Sequence, residues 1–249
     1  MNDSAWFAAT VRALECCAPH LFRLYIEAPT ITFEAGQFTK LALDIDGERI
    51  ARAYSFVNAP NAPLLEFYFS VVPEGPLSPR LAQLRAGDSI WVGAQPNGFL
   101  VLSEVPPAPT LWLLATGTGI GPFISMLEAG ALWQRYANVV LVHAVRKAAE
   151  LSYTSRVHAL QQVHGSALRY VQMVSREAQT DTLTGRIPAR LIDGSLEHAA
   201  GVVMTATDSQ VMLCGNPAMV RDVIETLVSR GMKKHRRRTP GQITVENYW

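Results

Sequence analysis

Apolar and polar positions follow one rhythm in the first part of the chain and another in the rest. Residues 6–11 (WFAATV) form a short apolar run. Residues 21–28 (LFRLYIEA) alternate Leu, Phe, Leu and Ile with Arg, Tyr and Glu, and residues 38–45 alternate more regularly. Residues 64–72 (LLEFYFSVV) are rich in aromatic and β-branched side chains, and 90–92 is another short run. Turn-forming residues lie between them: Asp46-Gly47, the stretch 58–63, Glu74-Gly75-Pro76, Gly87-Asp88 and Pro96-Asn97-Gly98. Short strands separated by such turns predict an antiparallel β-barrel. One helix is expected within it, over 78–84, opening on Ser78-Pro79.

The rhythm changes after the linker Pro106-Pro107-Ala108-Pro109. Residues 110–115 (TLWLLA), 138–144 (NVVLVHA), 168–174 and 210–213 (QVML) read as strands buried on both faces. Helices are expected over 122–133, 153–163, 186–192 and 217–228. Strands alternating with helices predict a parallel sheet with helices on both sides. The expected fold is thus two-domain, an antiparallel β-barrel over 1–104 followed by an α/β parallel-sheet domain over 105–249.

Composition narrows this picture. Hydrophobic residues make up 49% and charged residues 17%, enough for sizeable cores. The formal net charge of +1 gives no general attraction to nucleic acid. Cys16, Cys17 and Cys214 offer neither a disulfide framework nor metal-ligand spacing, and no C-x4-C-x2-C run exists for an iron–sulfur cluster. No metal is therefore expected. No signal-peptide pattern and no apolar stretch of spanning length are present, so a cytoplasmic protein with no membrane partner is expected.

Three segments of the second half carry chemistry. Thr116-Gly117-Thr118-Gly119-Ile120-Gly121-Pro122-Phe123 lies where the first buried strand meets a helix. Glycines there allow a tight turn and close approach of a phosphate to free N–H groups, and Pro122 suits the first helical position. The spacing is not G-x-G-x-x-G, so a plain glycine-rich turn is equally compatible. Cys214-Gly215-Asn216-Pro217 follows the last buried strand, at the edge where open α/β sheets bind ligands. Cys214 also fits a buried core thiol. Arg146, Arg176 and Arg186 follow strand ends or their loops. Guanidinium groups there suit a 2′-phosphate, and pairing with Glu150 or Glu177 is the competing reading. In the first half, Arg52-Ala53-Tyr54-Ser55 lies in a strand context and is a weak pattern alone.

Together, Arg52-Ala53-Tyr54-Ser55, the GTGIGPF turn, Cys214-Gly215-Asn216-Pro217 and Glu246-Asn247-Tyr248-Trp249 resemble the ferredoxin–NADP⁺ reductase family. The likeness is to its bacterial flavodoxin/ferredoxin-linked members ending in Tyr-Trp. It implies an FAD-dependent oxidoreductase that exchanges electrons between NADP(H) and ferredoxin or flavodoxin. It further implies that Arg52, Ala53, Tyr54, Ser55, Tyr68, Pro76, Leu77, Ser78 and Thr118 hold FAD. Tyr248 would cover the isoalloxazine and Trp249 would reach the adenine end. Val145, Arg146, Ser175, Arg176, Arg186, Gly215, Asn216 and Pro217 would hold NADP(H). Ser55, Cys214 and Tyr248 would act at the site of hydride transfer, with Glu246 a candidate for a proton path. The basic run Lys233, Lys234, His235, Arg236, Arg237 and Arg238 is expected to dock an acidic carrier. Two other readings share parts of this pattern. An oxygenase reductase component normally brings its own iron–sulfur domain, which the cysteines do not provide; a nucleotide-binding regulator would need no Cys214 beside the nicotinamide.

Overall fold

The computed structural model describes residues 5–247. The first part forms a six-stranded antiparallel sheet. Its strands are β1 (Trp6–Ala18), β2 (Leu21–Glu27), β3 (Phe38–Ile45), β4 (Glu48–Ser55), β5 (Leu65–Ser70) and β6 (Ser89–Gly93), with a short helix α1 (Ser78–Leu81) before β6. The order is β4-β3-β6-β1-β2-β5. The end strands β4 and β5 meet through a bridge between Phe56 and Phe67, and the Val57 N–H donates to the Glu66 carbonyl at 2.9 Å. This closes the sheet into the expected barrel. Leu24, Ile26, Leu41, Phe56, Phe67 and Leu81 fill it.

β1 runs well beyond the apolar stretch 6–11. Register shifts between Val11 and Ala13 and between Cys16 and Ala18 break its alternation. These irregularities let one strand pair with β6 at its start and β2 along its remainder. The expected helix 78–84 ends sooner, at Leu81.

The second sheet begins at β7 (Thr110–Thr116). It continues with α2 (Gly121–Ala129), β8 (Asn138–Val145), α3 (Thr154–His164), β9 (Leu168–Val174), β10 (Leu183–Thr184), α4 (Ile187–Ile192), α5 (Ser195–Ala200), β11 (Ser209–Gly215), α6 (Pro217–Ser229) and β12 (Ile243–Asn247). All six strands are parallel, in the order β10-β9-β8-β7-β11-β12. The helix expected over 122–133 stops at Ala129 because Gly130 takes a left-handed conformation, φ 83°, and caps it. β10, β12 and α5 have no counterpart among the expected elements.

Alternate residues of β7 serve two cores. Trp112 and Leu114 pack with Val142, Leu191, Val223 and Leu227 on one face. Leu111, Leu113 and Ala115 pack on the other with Phe123, Leu141 and Tyr153, and that cluster also takes in Val57, Tyr68, Leu100 and Leu102 from the first part of the chain. The barrel therefore rests on one face of the parallel sheet and shares its core.

Candidate active site

The strand order reverses between β7 and β11. β8 and β9 build outward from one side of β7, and β11 returns to its other side. Such a reversal opens a crevice at the carboxyl ends of the strands. Both glycine-bearing segments of the second half border it. Residues 117–120 form a 3-10 turn that runs directly into α2. A Cβ on Gly119 would lie 2.5 Å from the Cys214 carbonyl oxygen, so only glycine lets the turn sit against the end of β11. Gly117 has φ +54° and nothing within 4 Å of where a Cβ would stand, leaving open space above the turn. Gly215, φ +131°, lies against Thr116, whose hydroxyl accepts from the Asn216 N–H at 2.8 Å. The Asn216 side chain caps α6, accepting from the Ala218 and Met219 N–H groups.

Three successive strands bring the arginines to the same edge. Arg146 follows β8, Arg176 follows β9 and Arg186 follows β10. The Ser175 N–H donates to the Val145 carbonyl and the Arg176 N–H to the Arg146 carbonyl, continuing the ladder past the strand ends. Glu150 accepts from the Arg146 backbone N–H, and Glu177 accepts from the Ala148 N–H. The two carboxylates are thus held by backbone, and among the described residues Arg146, Arg176 and Arg186 form no ion pair. All three are exposed. Open guanidinium groups beside a glycine-rich turn fit a phosphorylated dinucleotide.

On the barrel side, Arg52 and Ala53 are exposed on β4, while Tyr54 is half-buried with its ring edge-on to Phe69 at 5.9 Å. Ser55 is buried and pairs in register with Phe38. Pro76 is exposed. Leu77 and Ser78 turn inward: Leu77 joins the barrel core and the Ser78 hydroxyl accepts from the Val72 N–H at 2.9 Å. The Tyr68 side chain faces the other domain, its hydroxyl 2.9 Å from that of Ser152 and its ring edge-on to Tyr153. Thr118 is half-buried in the glycine turn.

Barrel and sheet converge around Glu246. The β11–β12 register sets Glu246 beside Cys214. A Cβ on Gly98 would lie 2.7 Å from Glu246 Oε1 and 3.1 Å from the Phe38 ring, the residue paired with Ser55. Ser55, Phe38, Gly98, Glu246 and Cys214 thus form a continuous line of neighbours. Burial pushes the Glu246 carboxyl up to about 7, and its Oε2 is buried with no hydrogen-bond partner among the described residues. Tyr248 and Trp249 lie outside the described residues.

His143 is a site residue that the motifs do not single out. It is fully buried on β8, with Nε2 3.0 Å from the Gly117 carbonyl and Nδ1 without a partner among the described residues. Burial pushes it down to about 4, so it is neutral and Nε2 donates. The only sequence signal is a histidine within an otherwise apolar strand.

The basic run is less close to this site than its position before the C-terminus implies. His235 donates its N–H to the Ile243 carbonyl and Lys234 bridges Ile243. Ile243 begins β12, about 10 Å of strand before Glu246. Arg237 turns the other way, pairing with Glu104 at 2.5 Å and lying 4.5 Å over the ring of Phe99, which is 64% exposed and follows Gly98. Lys233, Lys234, Arg236 and Arg238 are exposed and form no ion pair among the described residues.

Comparisons with known proteins agree with this architecture. An oxidoreductase FAD-binding domain model matches residues 17–98, and an oxidoreductase NAD-binding domain model matches residues 113–225. The flavodoxin/ferredoxin–NADP reductase of Escherichia coli is 51% identical, with 98% of this chain and 99% of the relative covered. That of Buchnera aphidicola from Schizaphis graminum is 42% identical over 98% and 99%. A solved ferredoxin NADP⁺ reductase from Neisseria gonorrhoeae, with bound FAD and NADP, superposes at a TM-score of 0.93 with 36% identity, covering 98% of each chain. Identity at this level across nearly the whole length, on the fold and crevice described above, means that the chain belongs to the flavodoxin/ferredoxin–NADP reductase family.

Proposed function

We propose that the chain exchanges electrons between NADP(H) and a ferredoxin or flavodoxin by way of FAD. The observation that carries this reading is the convergence of the Ser55 strand end, Glu246 and Cys214 beside a glycine-lined crevice flanked by three open arginines. Bound FAD supplies the link between two-electron hydride exchange and one-electron exchange. Arg52 neutralises the flavin pyrophosphate, Tyr54 packs on the ring system and Ser55 contacts its edge. Ala53, Tyr68, Pro76, Leu77 and Ser78 complete the FAD contacts, with Leu77 and Ser78 using their backbone, and Thr118 reaches FAD from the turn. Val145, Ser175, Gly215, Asn216 and Pro217 line the nucleotide, while Arg146, Arg176 and Arg186 hold its 2′-phosphate.

Cys214 positions the nicotinamide. Glu246, raised to about 7 by burial, is able to hold or release a proton near neutral pH. Tyr248 would cover the ring and move aside for the nucleotide, and Trp249 would reach the adenine end of FAD. The strand register supports this, since β12 carries the chain to Asn247 opposite Gly215. The carrier docks by charge on the basic run, with Arg237 and Phe99 at the end nearest the site. The barrel domain, residues 1–104, and the nucleotide domain, 105–249, meet at the crevice.

The test is purification followed by nucleotide preference. The protein is expected to be yellow and to reduce ferricyanide with NADPH in strong preference to NADH. Arg176→Ala is expected to raise KM for NADPH by about tenfold or more, the scale of a lost charge-assisted phosphate contact, and to leave KM for NADH nearly unchanged. A colourless protein or equal use of both nucleotides would refute the functional reading. Equal effects of Arg176→Ala on both nucleotides would remove the 2′-phosphate assignment.

A further inference from the structure

The strand that ends in Ser55 and the helix that follows the glycine turn are sewn together by a buried polar seam. Beyond Ser55, Val57 lies against Gly121, where a Cβ would stand 3.1 Å from Val57 Cγ2. The Asn58 carbonyl accepts from the Ser125 hydroxyl at 2.7 Å, and Ser125 is fully buried on α2. The Asn58 side chain accepts from the Glu66 N–H at 2.8 Å. The Glu66 carboxylate then crosses to α3. It accepts from Tyr153 at 2.9 Å and from Arg156 at 2.6 and 2.8 Å, and Arg156 forks onward to Glu128 on α2 at 2.7 and 2.8 Å. Glu66 is 4% exposed.

A charged carboxylate so deeply buried is a weak source of stability, since an apolar contact of similar shape serves as well. Its hydrogen bonds are directional, however, and they fix one mutual setting of the elements they join. Here those elements are β5 and the segment after the Ser55 strand on the barrel side, and α2 and α3 on the other, with α2 following the glycine turn directly. Hydride transfer requires the reacting carbons and nitrogens at about 3–3.5 Å, and a misplacement of about 1 Å can cost about 100-fold in rate.

We propose that Ser125, Glu66 and Arg156 are positioning residues that set the distance for hydride transfer across the domain junction. The proposal rests on the functional reading above. Its test uses the FAD-bound protein with Ser125→Ala and Glu66→Gln, since removing Arg156 would leave a buried charge unpaired and endanger folding. In rapid-mixing experiments the limiting rate of flavin reduction by NADPH is expected to fall about tenfold. The affinity for NADP⁺ and the flavin content should stay within about twofold of wild type. Hydrogen exchange of the Val57 and Glu66 amides should accelerate while that of β7 and β8 amides does not. Folded variants with a wild-type reduction rate would overturn the proposal. So would loss of rate, NADP⁺ binding and flavin together, which marks general damage. Failure of wild-type protein to be reduced by NADPH would instead refute the functional reading itself.

Discussion

Glu246 and His143 show how burial at the residue scale sets chemistry and stability together. The Glu246 carboxyl is raised from 4.5 to about 7 by desolvation alone. Below the ordinary value the group is protonated folded or unfolded and has no effect on stability. Between 4.5 and 7 the unfolded chain gives up its proton while the folded chain keeps it, so stability falls as pH rises through this window and stays lower above it. Glu246→Gln removes this cost. Its Tm is expected to exceed wild type at pH 8 and to match it below about pH 4, under the ordinary carboxyl value; an equal gain at both would contradict the assignment. His143 has the opposite sign. Its folded value, about 4, lies below the ordinary 6.5, so stability present above 6.5 is lost as pH falls towards 4. With the imidazole neutral, its Nε2–H holds the Gly117 carbonyl and thereby the turn beneath the crevice.

At the scale of elements, the segment between α6 and β12 joins two surfaces. Its backbone is tied to the start of β12, and Arg237 reaches the Phe99–Glu104 segment of the barrel. The cations without ion pairs remain available to an acidic surface. Replacing Arg236 and Arg238 by Gln is expected to raise KM for a ferredoxin or flavodoxin severalfold at low salt, and the difference should shrink as salt screens it. Ferricyanide reduction should be unchanged, because a small acceptor needs no docking surface. A salt-independent defect, or one shared by ferricyanide, would exclude the docking role.

The whole molecule has one shared core between its two sheets. Val57, Tyr68, Leu100 and Leu102 from the first part of the chain are buried in the same cluster as Leu111, Leu113 and Phe123. Arg135, beyond α2, donates to the carbonyls of Leu102 and Val105 and fastens the connecting segment. Separating the halves would expose that apolar face and leave Glu66 without Arg156. The FAD-bound protein is therefore expected to unfold in one calorimetric transition, with calorimetric and van't Hoff enthalpies agreeing. Two resolved transitions would show the junction to be energetically minor.

The sequence by itself determined the two rhythms, the strand-to-helix turns and the residue types at the sheet edge, because these depend on local periodicity and turn chemistry. Arg52-Ala53-Tyr54-Ser55 and the glycine turn were each ambiguous alone and gained meaning only in combination. Tertiary structure alone decided what pairs over long range. β12 is a five-residue strand whose pairing with β11 is non-local, and β1 hides its full length behind two register shifts. The placement of Glu246 beside Cys214, the inward turn of His143 and the inter-domain bonds of Tyr68 and Glu66 depend on packing between distant segments. So does the division of the basic run. The five Lys and Arg side chains of the run look alike in sequence, but Arg237 pairs with Glu104 while the other four form no ion pair among the described residues, since only the folded barrel brings that carboxylate near.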